Sequence, residues 1–420
     1  MEYLFDYFSD ENFIVRKAKF FYGNALFDGN GFIKWNYKDG FEIKLFTKSD
    51  EYKRPKAQGF DTPKVIKKGE LQNIQFFLDG YKRGIIPSYY LGNQIFMTLQ
   101  NVLHFKSSNL ILFQNHSSGN KKYWKGKGLL RLPKSGYSFP STIETSEFID
   151  GNLLNKSLKR NAIFYEENEI RLNAWLKDDE YFEYHFSLKK EKYSQKYAIY
   201  YPIGLQNAIS FLFGVNAKRL KTQVTTRNSN IIEVHKYSDP EKMTIYDSLK
   251  TFQVYDADLV KILADFFTKG YLNKDLYKES FVCSMILKQL IEAEKQKSQT
   301  AQELLTSTIL ESVLRTLYDI PFSSSGKSLS IKNYLYGKLK KTLSLDDSWD
   351  NVLEKVFQAH ENMRHRNAHP DWLVSENDVY SDKKISDTFH DLRILIKFYQ
   401  QIILIMAGIE DVKPELPKKI

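Results

Sequence analysis

GFIKWNYKDGFEIKLF, residues 31–46, alternates twice. Ile33, Trp35 and Tyr37 share one parity, and after Asp39-Gly40 the residues Phe41, Ile43 and Leu45 take it up again. An apolar residue at every second position faces one side of a pleated strand, and Asp-Gly is a turn that sends the chain back. The stretch is therefore expected to be a β-hairpin. DGNG at 28–31 reads as a further turn just ahead of it. Short runs of similar character recur at Ile95–Leu99, Leu110–Phe113, Ala162–Tyr165, Ile170–Trp175 and Tyr181–Leu188, separated by segments rich in Gly, Asn, Lys and Pro. IIEVHKY (231–237) reads as a last strand, and SDPEK (238–242) as a turn where a domain can end. The N-terminal half is expected to be an antiparallel β domain, a sandwich or open barrel, over residues 1–240.

The period then changes from two to 3.6. IGLQNAISFLFG, introduced by Pro202, reads as a helix over 202–214 that ends on a glycine. From Asp256 the helical pattern dominates. DADLVKILADFFTKG (256–270) starts on an Asp cap and stops on Gly270. Further helices are expected over 280–298, 300–320, 334–343, 348–369 and 385–409. Their apolar stripes imply an all-α bundle over 250–415. The fold class is α+β, with the strands first.

Composition narrows the function. With 420 residues, the chain is long enough for two cores. Its net charge of +10 favours a polyanionic partner, nucleic acid before membrane. The single cysteine, Cys283, excludes an internal disulfide framework and a cysteine-based zinc site. The acidic start MEYLFDYFSDENF lacks the basic segment and long apolar run of a signal peptide. The apolar run from Ile394 to Ile409 is interrupted by Lys397, Gln400 and Gln401, so no membrane span is expected. These features together fit a cytoplasmic protein.

Chemistry concentrates in ENMRHRNAHPDW, residues 361–372. Pro370 pushes His369 out of the α region, so the helix should end there. Strict helical spacing sets Arg364 and His369 about 140° apart, yet a long arginine stem at a terminating helix lets both heads reach one cleft. His365 and His369, four residues apart, share a face. A guanidinium offers a planar fork for phosphate oxygens, and an imidazole exchanges protons near neutrality. The pair suits cleavage of RNA by its own 2′-hydroxyl, with no metal or other cofactor. Two alternatives stand beside it. Histidines at this spacing can ligate zinc, but the glutamate of HExxH is missing and only His360 or Asp371 offers a third ligand. Basic residues also decorate helix ends, where they pair with the last carbonyls.

Two more segments bear on phosphate. SSSGKS (323–328) departs from the phosphate-loop pattern, with Pro321 where a glycine is needed and no strand before it; Lys327 and Lys332 remain as contributors of positive potential. HSSGNKKYWKGKGLLRLPKSGY (116–137) places Lys121, Lys122 and Lys125 around Tyr123 and Trp124. It reads either as a loop that tracks a nucleic-acid backbone with stacking rings or as a solvated hairpin, and its GKG lacks the third glycine of a dinucleotide fingerprint.

Arg364-His365-Arg366-Asn367-Ala368-His369 resembles the R-polar-xxx-H signature of the HEPN superfamily, with His365 in the polar slot. FYQQIILIMAGI resembles the apolar last helix of such domains, and TSTILESVLRTL the earlier helix from which an acidic residue, here Glu311, supports the motif. The β-rich start, including FYGNALFDGNGFIKWNYKDGFEIKLF, together with LQNAISFLFGVNAKR (205–219), is similar to the ApeA-like anti-phage proteins. The resemblance implies a ribonuclease with Arg364, His369 and His365 catalytic, Asn367 and Glu311 supporting, and Arg366 contributing field. It further implies a homodimer whose two motifs line one cleft, RNA such as transfer RNA as substrate, a phage-derived trigger, and a β domain that senses or restrains. The alternative is a HEPN module that binds RNA or protein without cutting it.

Overall fold

The computed structural model describes residues 11–22, 25–48, 71–77, 83–95, 100–114, 122–134, 141–149, 152–167, 169–177, 180–227, 229–240, 257–321, 330–368, 382–410 and 412–417. Contacts divide the chain into two units, Met1–Pro202 with Lys218–Pro240, and Ile203–Ala217 with Glu241–Ile420. The first is antiparallel β, the second helical, so the class is α+β.

The strands of the first unit run in chain order as β1 (Glu11–Tyr22), β2 (Ala25–Asn36), β3 (Gly40–Lys48), β4 (Leu71–Phe77), β5 (Arg83–Ile95), β6 (Gln100–Ser107), β7 (Asn109–Gln114), β8 (Tyr123–Arg131), β9 (Ser141–Ile149), β10 (Asn152–Glu166), β11 (Ile170–Lys177) and β12 (Tyr181–Lys189). Helix α1 (Gln195–Phe213) follows, then β13 (Lys218–Thr225) and β14 (Asn230–His235). The expected hairpin is β2–β3, with Ile33 opposite Ile43 and Trp35 opposite Phe41. Its turn is closed by the Asn36 side chain, which accepts from the backbone N–H of Lys38 (2.9 Å) and of Asp39 (3.0 Å). Gly40 leaves the turn at φ +87°, where a side chain is disfavoured, and a Cβ there would lie 2.5 Å from the Ser107 carbonyl.

Pairing in the order β4-β1-β2-β3-β6-β5, closed by β4–β5, makes a ring of six strands. Its interior is filled by Ile33, Trp35, Phe41, Ile43, Phe76 and Phe105. A second run, β7-β14-β13-β8-β12-β11-β10-β9, continues from it. The junction is Ser108. β5 advances four residues, from Ile85 to Tyr89, while its partner advances five, from Ile111 to Lys106. One residue is therefore unpaired, a β-bulge. The Ser107 hydroxyl satisfies it, donating to the Asn109 carbonyl (2.9 Å) and accepting from the Asn109 N–H (3.3 Å). On the far edge β6 pairs with β3 and β7 with β14, so the sheet divides at this residue.

Several sequence expectations are corrected. DGNG 28–31 is not a turn but lies inside β2, where a Cβ on Gly31 would fall on the carbonyl of Lys44 in β3. Tyr123–Arg131 is neither loop nor hairpin tip. It is β8, in mid-sheet between β12 and β13. Gly126 and Gly128 of its GKG stand opposite Phe186 and Tyr184, whose rings occupy the space that side chains would need. Of the strand expected at Ile95–Leu99, Ile95 is the last residue of β5, and 96–99 lie outside the described residues. Helix α1 begins at Gln195 rather than at Pro202, because the Ser194 hydroxyl caps it by accepting from the Tyr197 N–H (3.1 Å). Gly214, at φ +61°, ends it as expected.

The helical unit adds α2 (Ala257–Leu272), α3 (Lys278–Glu294), α4 (Gln299–Leu317), α5 (Ile331–Asn333), a π-helical segment Tyr334–Leu339, α6 (Lys340–Thr342), α7 (Asp350–Ala368) and α8 (Asp382–Met406). α3 packs on α2 and α4, and α7 on α4 and α8. The Tyr399 hydroxyl of α8 donates to the Thr306 carbonyl of α4 at 2.9 Å deep in this core. Gly270 does not end α2 as expected; the helix runs on to Leu272. Gly270 is instead the point where α3 crosses, and a Cβ there would lie 2.8 Å from the Phe281 nitrogen and 2.9 Å from the Ser280 carbonyl carbon. Gly270→Ala should lower the urea unfolding free energy by about 1–3 kcal/mol, as overpacking does. Gly337→Ala, with nothing within 4 Å of the added Cβ, should leave it unchanged or raise it by up to about 1 kcal/mol.

Candidate functional site

α7 is built to bury one side and show the other. Asp346 caps the approach, accepting from the Ser348 N–H at 3.0 Å, and Trp349 anchors the first turn in the core. Leu353, Val356, Ala359, His360 and Met363 follow at helical spacing, all buried. Arg364 and His365 come next and are exposed. Arg366 and Asn367 belong to the same helix in backbone. His369, Lys327 and Lys121 lie outside the described residues.

Ion pairs among the described residues of this unit engage Lys261, Lys278, Lys295, Arg315, Lys340 and Lys397, and none engages Arg364. Its guanidinium is exposed, as is the His365 imidazole that follows it in the chain, and the exposed Glu361 three residues earlier makes no ion pair with it. That arrangement can receive a phosphate.

Glu311 lies on α4. Its carboxylate accepts from Arg315 twice, from Nε at 3.0 Å and Nη2 at 2.8 Å, and Arg315 also donates to the Pro321 carbonyl at 2.9 Å. Glu311 and Arg364 both act electrostatically on one buried group, the imidazole of His360. His360 is one helical turn before Arg364 and only 1% exposed. Neither ring nitrogen makes a hydrogen bond of standard geometry, although the Ser307 backbone of α4 lies close enough to act on the ring. Burial pushes this imidazole below its usual range; Arg364 adds to the effect, while Glu361, Glu311 and Ser307 oppose it. Sequence alone offered His360 as a possible third zinc ligand and gave no signal for Arg315.

Lys332 follows Ser330 into α5, and its ammonium stands 5.4 Å from the centroid of the Phe357 ring. Phe357 precedes Arg364 by seven residues, two turns, which returns to within about 20° of the same side of α7. Lys332 and Arg364 therefore share one side of the helix. Asn362 adds a tie to α8, with Nδ2 donating to Asp391 at 3.3 Å.

Lys122 and Lys125 belong to the β unit and are exposed at the start of β8. Trp124 between them is not a free stacking ring. It is buried, its indole N–H donates to the Tyr193 carbonyl at 2.8 Å, and the Lys190 ammonium caps the ring at 4.4 Å. Arg131 and Lys134 of the same basic segment are engaged by Glu180, at 3.4 and 2.8 Å.

Among the described residues no group of three His, Cys, Asp or Glu side chains is placed to hold a metal ion. No described helix is long and apolar enough to cross a membrane.

His360 supplies a test of this neighbourhood. Its ring is neutral when folded and is protonated more readily once unfolded, so unfolding takes up a proton below the ordinary imidazole value of 6.5. Stability present above that pH should fall as the pH drops through it. Urea midpoints at pH 7 and pH 5 should therefore differ less for His360→Leu than for the wild type. Compared with models of known families, with curated proteins and with solved structures, the chain matches none.

Proposed function

We propose that the chain is a metal-independent endoribonuclease of the HEPN type. The observation that carries this reading is an exposed Arg364, engaged in no ion pair among the described residues, followed by an exposed His365 at the end of a helix whose other side is buried. In the proposed reaction an imidazole, His369 or His365, removes the proton of the RNA 2′-hydroxyl. The 2′-oxygen attacks the adjacent phosphorus and the 5′-oxygen departs, taking a proton from a second imidazole. Products are a 2′,3′-cyclic phosphate and a free 5′-hydroxyl. Arg364 stabilises the charge on the phosphorane-like transition state. A second copy of the chain related by a two-fold axis supplies the matching acid, and Lys332, on the same side of α7 as Arg364, adds to the field that draws RNA. In the cell, the reading is anti-phage defence, with the β unit restraining the nuclease until a phage-derived trigger arrives.

Purified protein incubated with total RNA in EDTA should yield fragments ending in 2′,3′-cyclic phosphate. His369→Ala should abolish them, and Arg364→Ala should slow their formation by about 10²-fold or more. An unchanged rate in Arg364→Ala removes that residue from the site. Retarded RNA in a gel without any cutting favours the alternative, a HEPN module that binds without catalysis. In infected cells, the wild-type chain should reduce phage yield and Arg364→Ala should not; equal protection by both separates defence from cleavage.

A further inference from the structure

The outer face of the six-stranded ring departs from what a solvated sheet needs. Ile14 of β1 is 78% exposed and Phe32 of β2 is 37% exposed, and the two are directly paired across the strands. Phe46 of β3 lies diagonally beyond, its ring centroid 5.9 Å from that of Phe32 and tilted by 51°. Inward neighbours on the same strands already fill the core, so these three are surplus to it. Contiguous exposed apolar groups on a sheet face mark a contact surface.

The charges between the rings say what the contact is. Lys44 stands opposite Phe32 in register, with its ammonium 5.9 Å from the ring centroid. Lys34 and Lys106 flank Glu42 on either side in the next row. Glu42 is itself engaged by His104 at 2.7 Å and Lys44 at 3.3 Å, and the three lysines Lys34, Lys44 and Lys106 outnumber this one carboxylate, so the face stays basic. Phe32 and Lys44 are neighbours across strands about 4.8 Å apart, Lys34 is the next outward residue of β2, and Phe46 the next outward residue of β3. A lipid surface would call for a larger apolar patch, and a protein strand would seek an open edge, which a closed ring does not offer on this face. A polymer that alternates flat bases with phosphates matches both features.

We propose that this face, with Phe32 at its centre, binds single-stranded nucleic acid by stacking bases on Phe32 and Phe46 and pairing phosphates with Lys34, Lys44 and Lys106. The site lies in the β unit and is independent of the nuclease reading.

The test uses the full chain carrying Arg364→Ala and His369→Ala, so that cleavage neither destroys the probe nor supplies the binding. A fluorescein-labelled oligouridine of about 15 nucleotides is titrated by anisotropy. Saturable binding is expected, weakened about tenfold by Phe32→Ala, as for loss of one stacking ring, and retained by Phe32→Tyr. Lys34→Ala with Lys44→Ala should lower the slope of log affinity against log salt by about 1.4, roughly 0.7 per cation removed. Absence of saturable binding overturns the proposal, as does binding that ignores both the ring and the lysine variants. If Phe32→Ala does not fold, the lysine pair decides, because those side chains point outward and leave the core intact. Self-association of the wild type in sedimentation that Phe32→Ala dissolves, with no probe binding, would assign the face to a second copy and likewise overturn it.

Discussion

Ser108 is one residue more than the sheet can pair, and the β unit is organised around that surplus. Across it the inward parity changes, from Leu103, Phe105 and Ser107 in β6 to Leu110 and Leu112 in β7. The bend lets a single stretch, residues 100–114, hold β5 along one edge while serving β3 and then β14 on the other. An unpaired backbone step inside a sheet would leave polar groups without partners, at about 1–3 kcal/mol each. The Ser107 hydroxyl and the Lys236 N–H, which donates to the Ser108 carbonyl at 2.5 Å, remove that penalty. Gly40 completes the corner because no side chain fits between it and Ser107.

The helical unit meets a different constraint. α7 must bury one side against α4 and α8 and keep the other side polar. His360 is where the two demands collide, since a buried imidazole with both nitrogens poorly served is an expensive core residue. Glu311 and Arg364, of opposite sign, both act on it. Glu311 pairs with Arg315, and no ion pair among the described residues engages Arg364; an arginine without a carboxylate partner is available to phosphate.

Aromatic residues are abundant, at 15% of the chain, and the structure sorts them by use. Tyr184 and Phe186 fill the room left by two glycines on β8, and Trp124 is capped by Lys190. Tyr237 is covered by the Arg131 guanidinium at 3.9 Å. Phe32 stays 37% exposed, with the Lys44 ammonium more distant at 5.9 Å and Ile14 and the Phe46 ring as its other neighbours. The distinction between core ring and surface ring rests on which side of a strand the residue faces and on what stands opposite, not on residue type.

The sequence by itself determined the change of period from two to 3.6, the β2–β3 hairpin with its Asp-Gly turn, the positions of the later helices, and the grouping of Arg364, His365 and His369 at one helix end. These are local properties, carried by residues within a few positions of one another. Glycines were where local reasoning failed. DGNG and Gly270 looked like punctuation, yet Gly31 makes room for the neighbouring strand and Gly270 for a crossing helix, as Gly126 and Gly128 do for rings, and the same residue serves a turn or a close approach equally well. Pro202 misplaced the start of α1 because the Ser194 cap, more than two turns upstream, outweighs it. Only the tertiary structure decided that the strands close into a ring and divide at Ser108, that Trp124 is core, that Lys332 shares a side of α7 with Arg364, and that α4, which carries Glu311, packs on α7 near the buried His360. Each of those relations joins residues far apart in the chain, and their contact is set by packing, which no short window of sequence encodes.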